Sequence, residues 1–174
     1  MRLLAISGSL RAGSSNTAVL EAARLLAPRG VEVVLYDGLA DLPAFNPDVE
    51  EGGVELPPAA ADLRARVADA DGLLISSPEY AHGIPGSLKN LLDWLVGSVD
   101  VPGKPVTLVA ASSRSIYAQS QLAEVLRTMN AHLVPEESVG VPLPSRSTDA
   151  AAIAADPELA RILRDAIDTL IQSS

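Results

Sequence analysis

A single doubly wound α/β domain, with a five-stranded parallel sheet and helices on both faces, is what this 174-residue sequence predicts. Three observations carry that expectation. Short apolar runs rich in Val, Ile and Leu recur along the chain, each bounded by Gly, Pro, Ser or Asp. Their hydrophobicity is continuous rather than alternating, as in strands covered on both faces. Between them lie stretches whose apolar residues repeat at helical spacing, and such βα units wind into an open parallel sheet.

The first strand is Leu3–Ile6. A helix follows with Val19, Ala22, Ala23 and Leu26 on one face, and Arg29-Gly30 is expected to end it. Val31–Leu35 is the second strand, and the Pro-, Gly- and acid-rich segment Asp37–Pro58 is a long loop. After Pro57-Pro58, Ala60, Leu63 and Val67 mark the second helix, and Leu73–Ile75 is the third strand. The third helix places Pro85 in its first turn and carries Leu88, Leu91, Leu92, Leu95 and Val96 on its apolar face. Val106–Ala110 is the fourth strand, followed by a helix with Ala118, Leu122, Val125, Leu126 and Met129. A weaker fifth strand lies within Leu133–Val141, where Pro135 interrupts it, and Pro142–Thr148 is a second loop. The last helix opens at the capping pair Asp156-Pro157 and carries Leu159, Ile162, Leu163, Ala166, Ile167 and Leu170. Five strands favour the flavodoxin-like order 2-1-3-4-5, with a ligand at the carboxyl ends of strands 1 and 3. No repeat or linker divides the chain, so residues 1–174 are expected to form one domain.

Composition narrows the function. Hydrophobic residues make up 48% and charged residues 20%, as in soluble enzymes, and aromatics at 3% leave the core to aliphatic side chains. A net charge of −9 argues against a nucleic-acid or anionic-membrane surface, though a local cluster of donors can still hold a small anion. With no cysteine, disulfides, thiolate catalysis, iron–sulfur clusters and cysteine zinc sites are all excluded. No run approaches the roughly 20 apolar residues of a membrane span, and Leu3–Ile6 is too short for a signal-peptide core. A cytoplasmic protein is expected.

Two loops carry the chemistry. Gly8-Ser9-Leu10-Arg11-Ala12-Gly13-Ser14-Ser15-Asn16-Thr17 follows the first strand and opens a helix. It fits neither the G-x-G-x-x-G dinucleotide pattern nor the Walker A loop. Instead it gathers hydroxyls, a guanidinium and the unpaired N–H groups of a helix start, a set suited to a phosphomonoester. A capped helix start without ligand accounts for the same serines. The second loop, Ser77-Pro78-Glu79-Tyr80-Ala81-His82-Gly83-Ile84-Pro85-Gly86, is placed to hold whatever the phosphate is attached to. Together they read as a mononucleotide site. His82 has no partner in the sequence for acid–base or metal chemistry, His132 lies far along the chain, and no nucleophile elbow surrounds any serine. No metal site and no catalytic side chain is expected, which suits chemistry performed by a bound organic cofactor.

These motifs, joined to Ile84-Pro85-Gly86-Ser87-Leu88-Lys89-Asn90-Leu91-Leu92-Asp93-Trp94 and to Leu42-Pro43-Ala44-Phe45-Asn46, resemble the NADPH-dependent FMN reductase family. The resemblance covers most of the first hundred residues. It implies a flavodoxin-like fold and NADPH- or NADH-dependent reduction of a flavin, quinone or similar small electrophile, by ping-pong hydride transfer through FMN. It implies that Ser9, Arg11, Ser14, Ser15, Asn16 and Thr17 hold the FMN phosphate. Pro78, Glu79, Tyr80, Ala81, His82 and Gly83 would line the isoalloxazine, largely through backbone groups, with Tyr80 alternatively a solvent-facing loop aromatic and Glu79 serving to orient the loop. Ser112, after the fourth strand, joins this set. There the resemblance breaks: the family's adjacent glycines are replaced by Ala111-Ser112-Ser113-Arg114-Ser115-Ile116-Tyr117, whose side chains would crowd or reshape that wall. Arg114 is read either as a cofactor-phosphate contact or as a solvated arginine.

A homodimer or homotetramer is also implied. Trp94, off the apolar stripe of its helix, is assigned to a subunit contact, the alternative being burial under its own Asp37–Pro58 loop. A flavodoxin-like electron carrier is the rival reading. A dinucleotide-binding dehydrogenase with Asp37 on the ribose is argued against by the missing glycine pattern.

Overall fold

The computed structural model describes residues 1–51, 55–145 and 148–174. The strands are β1 (Arg2–Ser7), β2 (Glu32–Leu35), β3 (Gly72–Ser76), β4 (Pro105–Ala110), β5 (His132–Leu133) and β6 (Val139–Gly140). The helices are α1 (Ser15–Leu26), α2 (Pro47–Glu51), α3 (Pro58–Ala68), α4 (Gly86–Leu95), α5 (Ile116–Thr128), α6 (Ala150–Ala155) and α7 (Pro157–Gln172). The sheet runs β2-β1-β3-β4-β5 with every pairing parallel, the doubly wound order expected. The fifth position is filled by two pieces. β5 pairs with Pro105–Val106 at the start of β4, and β6 with Val109–Ala110 at its end. Pro135, which follows a cis peptide bond after Val134, lies between them. Without an N–H it cannot donate to the ladder, so one strand becomes two.

Alternation along the strands divides the core. Leu4, Ile6, Leu73, Ile75, Val106 and Leu108 pack under α3, α4 and α5. Leu3, Ala5, Leu74 and Val109 point the other way, onto α1, α6 and α7. The caps are local: Ser14 Oγ accepts from Asn16 N–H, and Asp156 Oδ1 from the N–H groups of Glu158 and Leu159. Helix α1 stops at Leu26 rather than at Arg29-Gly30, because Ala27 precedes Pro28 and is held extended at ψ 134°. Pro85 is the N-cap of α4 rather than part of its first turn. Val96 closes α4 and is 63% exposed, so it does not belong to the apolar face.

The Trp94 assignment is corrected. Trp94 is fully buried within one chain, covered by its own loop. Its Nε1–H donates to Pro43 O at 2.8 Å, and its ring meets Phe45 edge-on at 5.1 Å. Asn90, one turn earlier, donates to the same carbonyl and accepts from Phe45 N–H, so residues 43–45 are strapped to α4.

Two buried polar side chains lack hydrogen-bond partners among the described residues. Burial pushes the Tyr36 hydroxyl up to about 12, which keeps it protonated at neutral pH. Gln119, on the inner side of α5, has neither amide atom bonded. Gln119→Met keeps an unbranched shape and removes both orphan atoms, so it is expected to stabilise the fold by about 1–3 kcal/mol. The readout is a higher urea midpoint at unchanged slope.

Candidate functional site

A cleft of about 610 Å³ opens at the carboxyl ends of β1, β3 and β4, within the usual size of small-ligand sites. The loop after β1 forms one wall. Gly8 N–H donates to Ser76 O at 2.8 Å, tying the loop to the end of β3. A Cβ on Gly8 would lie 2.8 Å from Leu88 Cδ2 and 2.9 Å from Ser77 Oγ, so a side chain here would force Leu88 and Ser77 to shift. Ser7 Oγ and Thr17 Oγ1 share a hydrogen bond of 2.9 Å beneath the loop, and Ser76 Oγ donates to Asn16 Oδ1 at 3.0 Å. Ser9, Arg11, Ser14, Ser15 and Asn16 face the cleft. Arg11 is exposed, and the first turn of α1 holds no acidic residue. This wall is therefore a set of hydroxyl, amide and guanidinium donors around a helix N-terminus, fitted to a doubly charged phosphate.

The loop after β3 forms the second wall through Pro78, Glu79 and Tyr80, the last 54% exposed. It is a tight hairpin: Tyr80 and Gly83 exchange backbone hydrogen bonds of 2.9 and 3.1 Å around Ala81 and His82, at φ 50° and 60°. Helix α5 clamps it at three points. Glu79 Oε2 accepts from Ala118 N–H at 2.9 Å, Gln121 Oε1 from Ile84 N–H at 2.8 Å, and the His82 ring lies against Tyr117 at 4.4 Å. Glu79 thus caps α5, whose own N-cap Ser115 makes no side-chain cap bond. Ala81 is a poor residue for a turn with two positive φ angles, where Asn is favoured. Ala81→Asn is expected to raise stability by about 1 kcal/mol, seen as a higher thermal midpoint.

Of the residues singled out from the sequence, Ser9, Arg11, Ser14, Ser15, Asn16, Pro78, Glu79, Tyr80 and Ser112 line this one cleft. Thr17, Ala81, His82 and Gly83 are not among its lining residues. Thr17 is engaged with Ser7 below the loop, and Ala81 and His82 form the tip of the hairpin. The third wall, Ala111 to Ser115, adds more of the β4 loop than Ser112. The fourth wall, Pro142 to Ser145, had no signal beyond a Pro-rich loop; it reaches the cleft because β6 pairs with the end of β4. Among the described residues, no group of three or more His, Asp or Glu side chains could hold a metal ion, and no helix is long and apolar enough to cross a membrane.

Sheet order defines a flavodoxin-like α/β protein, and the donor-lined cleft opens at its switch point. Residues 1–143 match the NADPH-dependent FMN reductase family, and the chain belongs to it. An NAD(P)H-dependent FMN reductase of Pseudomonas aeruginosa is 32% identical over 175 residues, covering 98% of this chain and 93% of that protein. The quinone reductase of Escherichia coli K12 is 36% identical over 151 residues, covering 81% of this chain and 78% of its own. Among solved structures, the flavoenzyme NAD(P)H:acceptor oxidoreductase FerB of Paracoccus denitrificans superimposes with a TM-score of 0.75 at 26% identity, covering 98% of this chain and 95% of that one.

Proposed function

We propose that the protein binds FMN in this cleft and catalyses NAD(P)H-dependent reduction of a flavin, quinone or similar small electrophile. The observation that carries the reading is the convergence, in a chain of this family, of the Ser9–Asn16 donor wall and the Pro78–Tyr80 wall on one cleft. Ser9, Arg11, Ser14, Ser15 and Asn16 would hold the phosphate, with Thr17 bracing the loop from below through Ser7. Pro78 and Tyr80 would carry the ring with Ser112, on a loop whose shape is set by the turn through Ala81, His82 and Gly83. Bound FMN supplies reversible acceptance of a hydride equivalent. The chain supplies the seat. Arg11 and the start of α1 neutralise the phosphate, and Glu79 fixes the second loop through α5 instead of acting on the ring.

Donor and acceptor would occupy the cleft in turn, a ping-pong order that predicts parallel lines in double-reciprocal plots. Dependence on a nicotinamide dinucleotide supports a cytoplasmic location. A homodimer or homotetramer is supported by the exposed Tyr80, Ile116 and Tyr117 around the second loop, and its test is the mass in light scattering. The deciding experiment follows NADPH and NADH oxidation by the purified protein with a quinone, with and without added FMN. FMN-dependent turnover supports the reading. Flavin binding without NAD(P)H oxidation would make the protein an electron carrier instead.

A further inference from the structure

Among the described residues, two guanidinium groups line the cleft, and they arise from different strands. Arg11 follows β1 and Arg114 follows β4, with β3 between them in the sheet. At about 4.8 Å per strand, the two loops leave the sheet roughly 10 Å apart. In a sheet of this order, FMN belongs in the crevice between β1 and β3, where the first loop already offers a complete set of donors for its phosphate. Arg114 stands one strand beyond that crevice. Its backbone is fixed: its N–H donates to Ser112 Oγ at 3.2 Å, and Ser115 N–H donates to Ser112 O at 3.3 Å. Its side chain is exposed and makes no ion pair among the described residues. Among the described residues, the one carboxylate lining the cleft, that of Glu79, accepts from Ala118 N–H. In a chain of net charge −9, a cleft with two available guanidiniums and its carboxylate engaged is built for two anionic groups.

We infer that Arg114 binds a phosphate group of the nicotinamide dinucleotide, beside the FMN seat rather than in it. This rests on the functional reading above. The donor's pyrophosphate and, in NADPH, its 2′-phosphate present the same chemistry to a guanidinium.

The test uses the FMN-loaded protein and Arg114→Ala. Calorimetric titration with NADP+ and NAD+ gives affinity without turnover, and anaerobic mixing with NADPH, NADH or the phosphate-free N-benzyl-dihydronicotinamide gives the donor dependence of flavin reduction. Arg114→Ala is expected to weaken dinucleotide binding about tenfold and to flatten its salt dependence, while the FMN dissociation constant stays within about twofold. The phosphate-free donor should reduce parent and variant alike. Loss with both dinucleotides assigns Arg114 to the pyrophosphate, and loss with NADPH alone to the 2′-phosphate; either supports the inference. Weaker FMN binding with unchanged dinucleotide affinity would place Arg114 on the flavin phosphate and overturn it, as would no change in any titration. A parent protein that binds no FMN would overturn the functional reading and this inference with it, whereas a normally reduced parent with an indifferent variant sinks the inference alone.

Discussion

Trp94→Ala is expected to cost the fold about 3–5 kcal/mol, the range for removing a large buried aromatic. The side chain is fully buried, bonded to Pro43 O and stacked edge-on against Phe45. Its loss would leave a cavity under residues 43–45 and a carbonyl served by Asn90 alone. Thermal denaturation measures the effect, and limited proteolysis should find new cleavage in the unstrapped loop. Trp94→Phe keeps part of the ring packing and loses the N–H bond with the rest, so its cost should be nearer 1–3 kcal/mol. The mass in light scattering should not change for either variant. A smaller mass with an undiminished melting temperature would put Trp94 back between subunits.

Arg11→Ala carries the largest expected effect on binding. The FMN dissociation constant should rise by about one to two orders of magnitude, corresponding to roughly 1.5–3 kcal/mol for a charge-assisted hydrogen bond. Riboflavin, which has no phosphate, should lose little. The folded state should be nearly indifferent, since Arg11 is exposed. Fluorescence titration with both ligands separates the outcomes: equal losses would remove Arg11 from the phosphate and leave the hydroxyls and the helix start to hold it.

What could be read from the residues alone was governed by how local the cause is. The first four strand runs, the Asp156 cap and the apolar faces of α1, α3, α5 and α7 are set by neighbours within a few residues, and those expectations match the structure. Trp94 failed because its partner lies 51 residues back along the chain, where helical periodicity carries no information. Helix α6 was missed although Asp149 caps it through Ala152 N–H; its short alanine-rich span shows too little amphipathic contrast. The donor-rich first wall of the cleft was legible because its residues are adjacent in sequence. The Pro142–Ser145 wall was not, because only the pairing of β6 with β4 brings it there.

The hydrogen bonds beneath the first loop bear on the thermodynamics of recognition. Ser7 with Thr17, Gly8 with Ser76, and Ser76 with Asn16 set the loop's shape from within the chain. Its conformational entropy is therefore surrendered during folding, and an incoming anion meets a preorganised receptor. Affinity then depends on residues beneath the binding surface as well as on those in it. Ser76→Ala, at a fully buried position, would loosen the cradle and weaken a ligand that the serine does not contact.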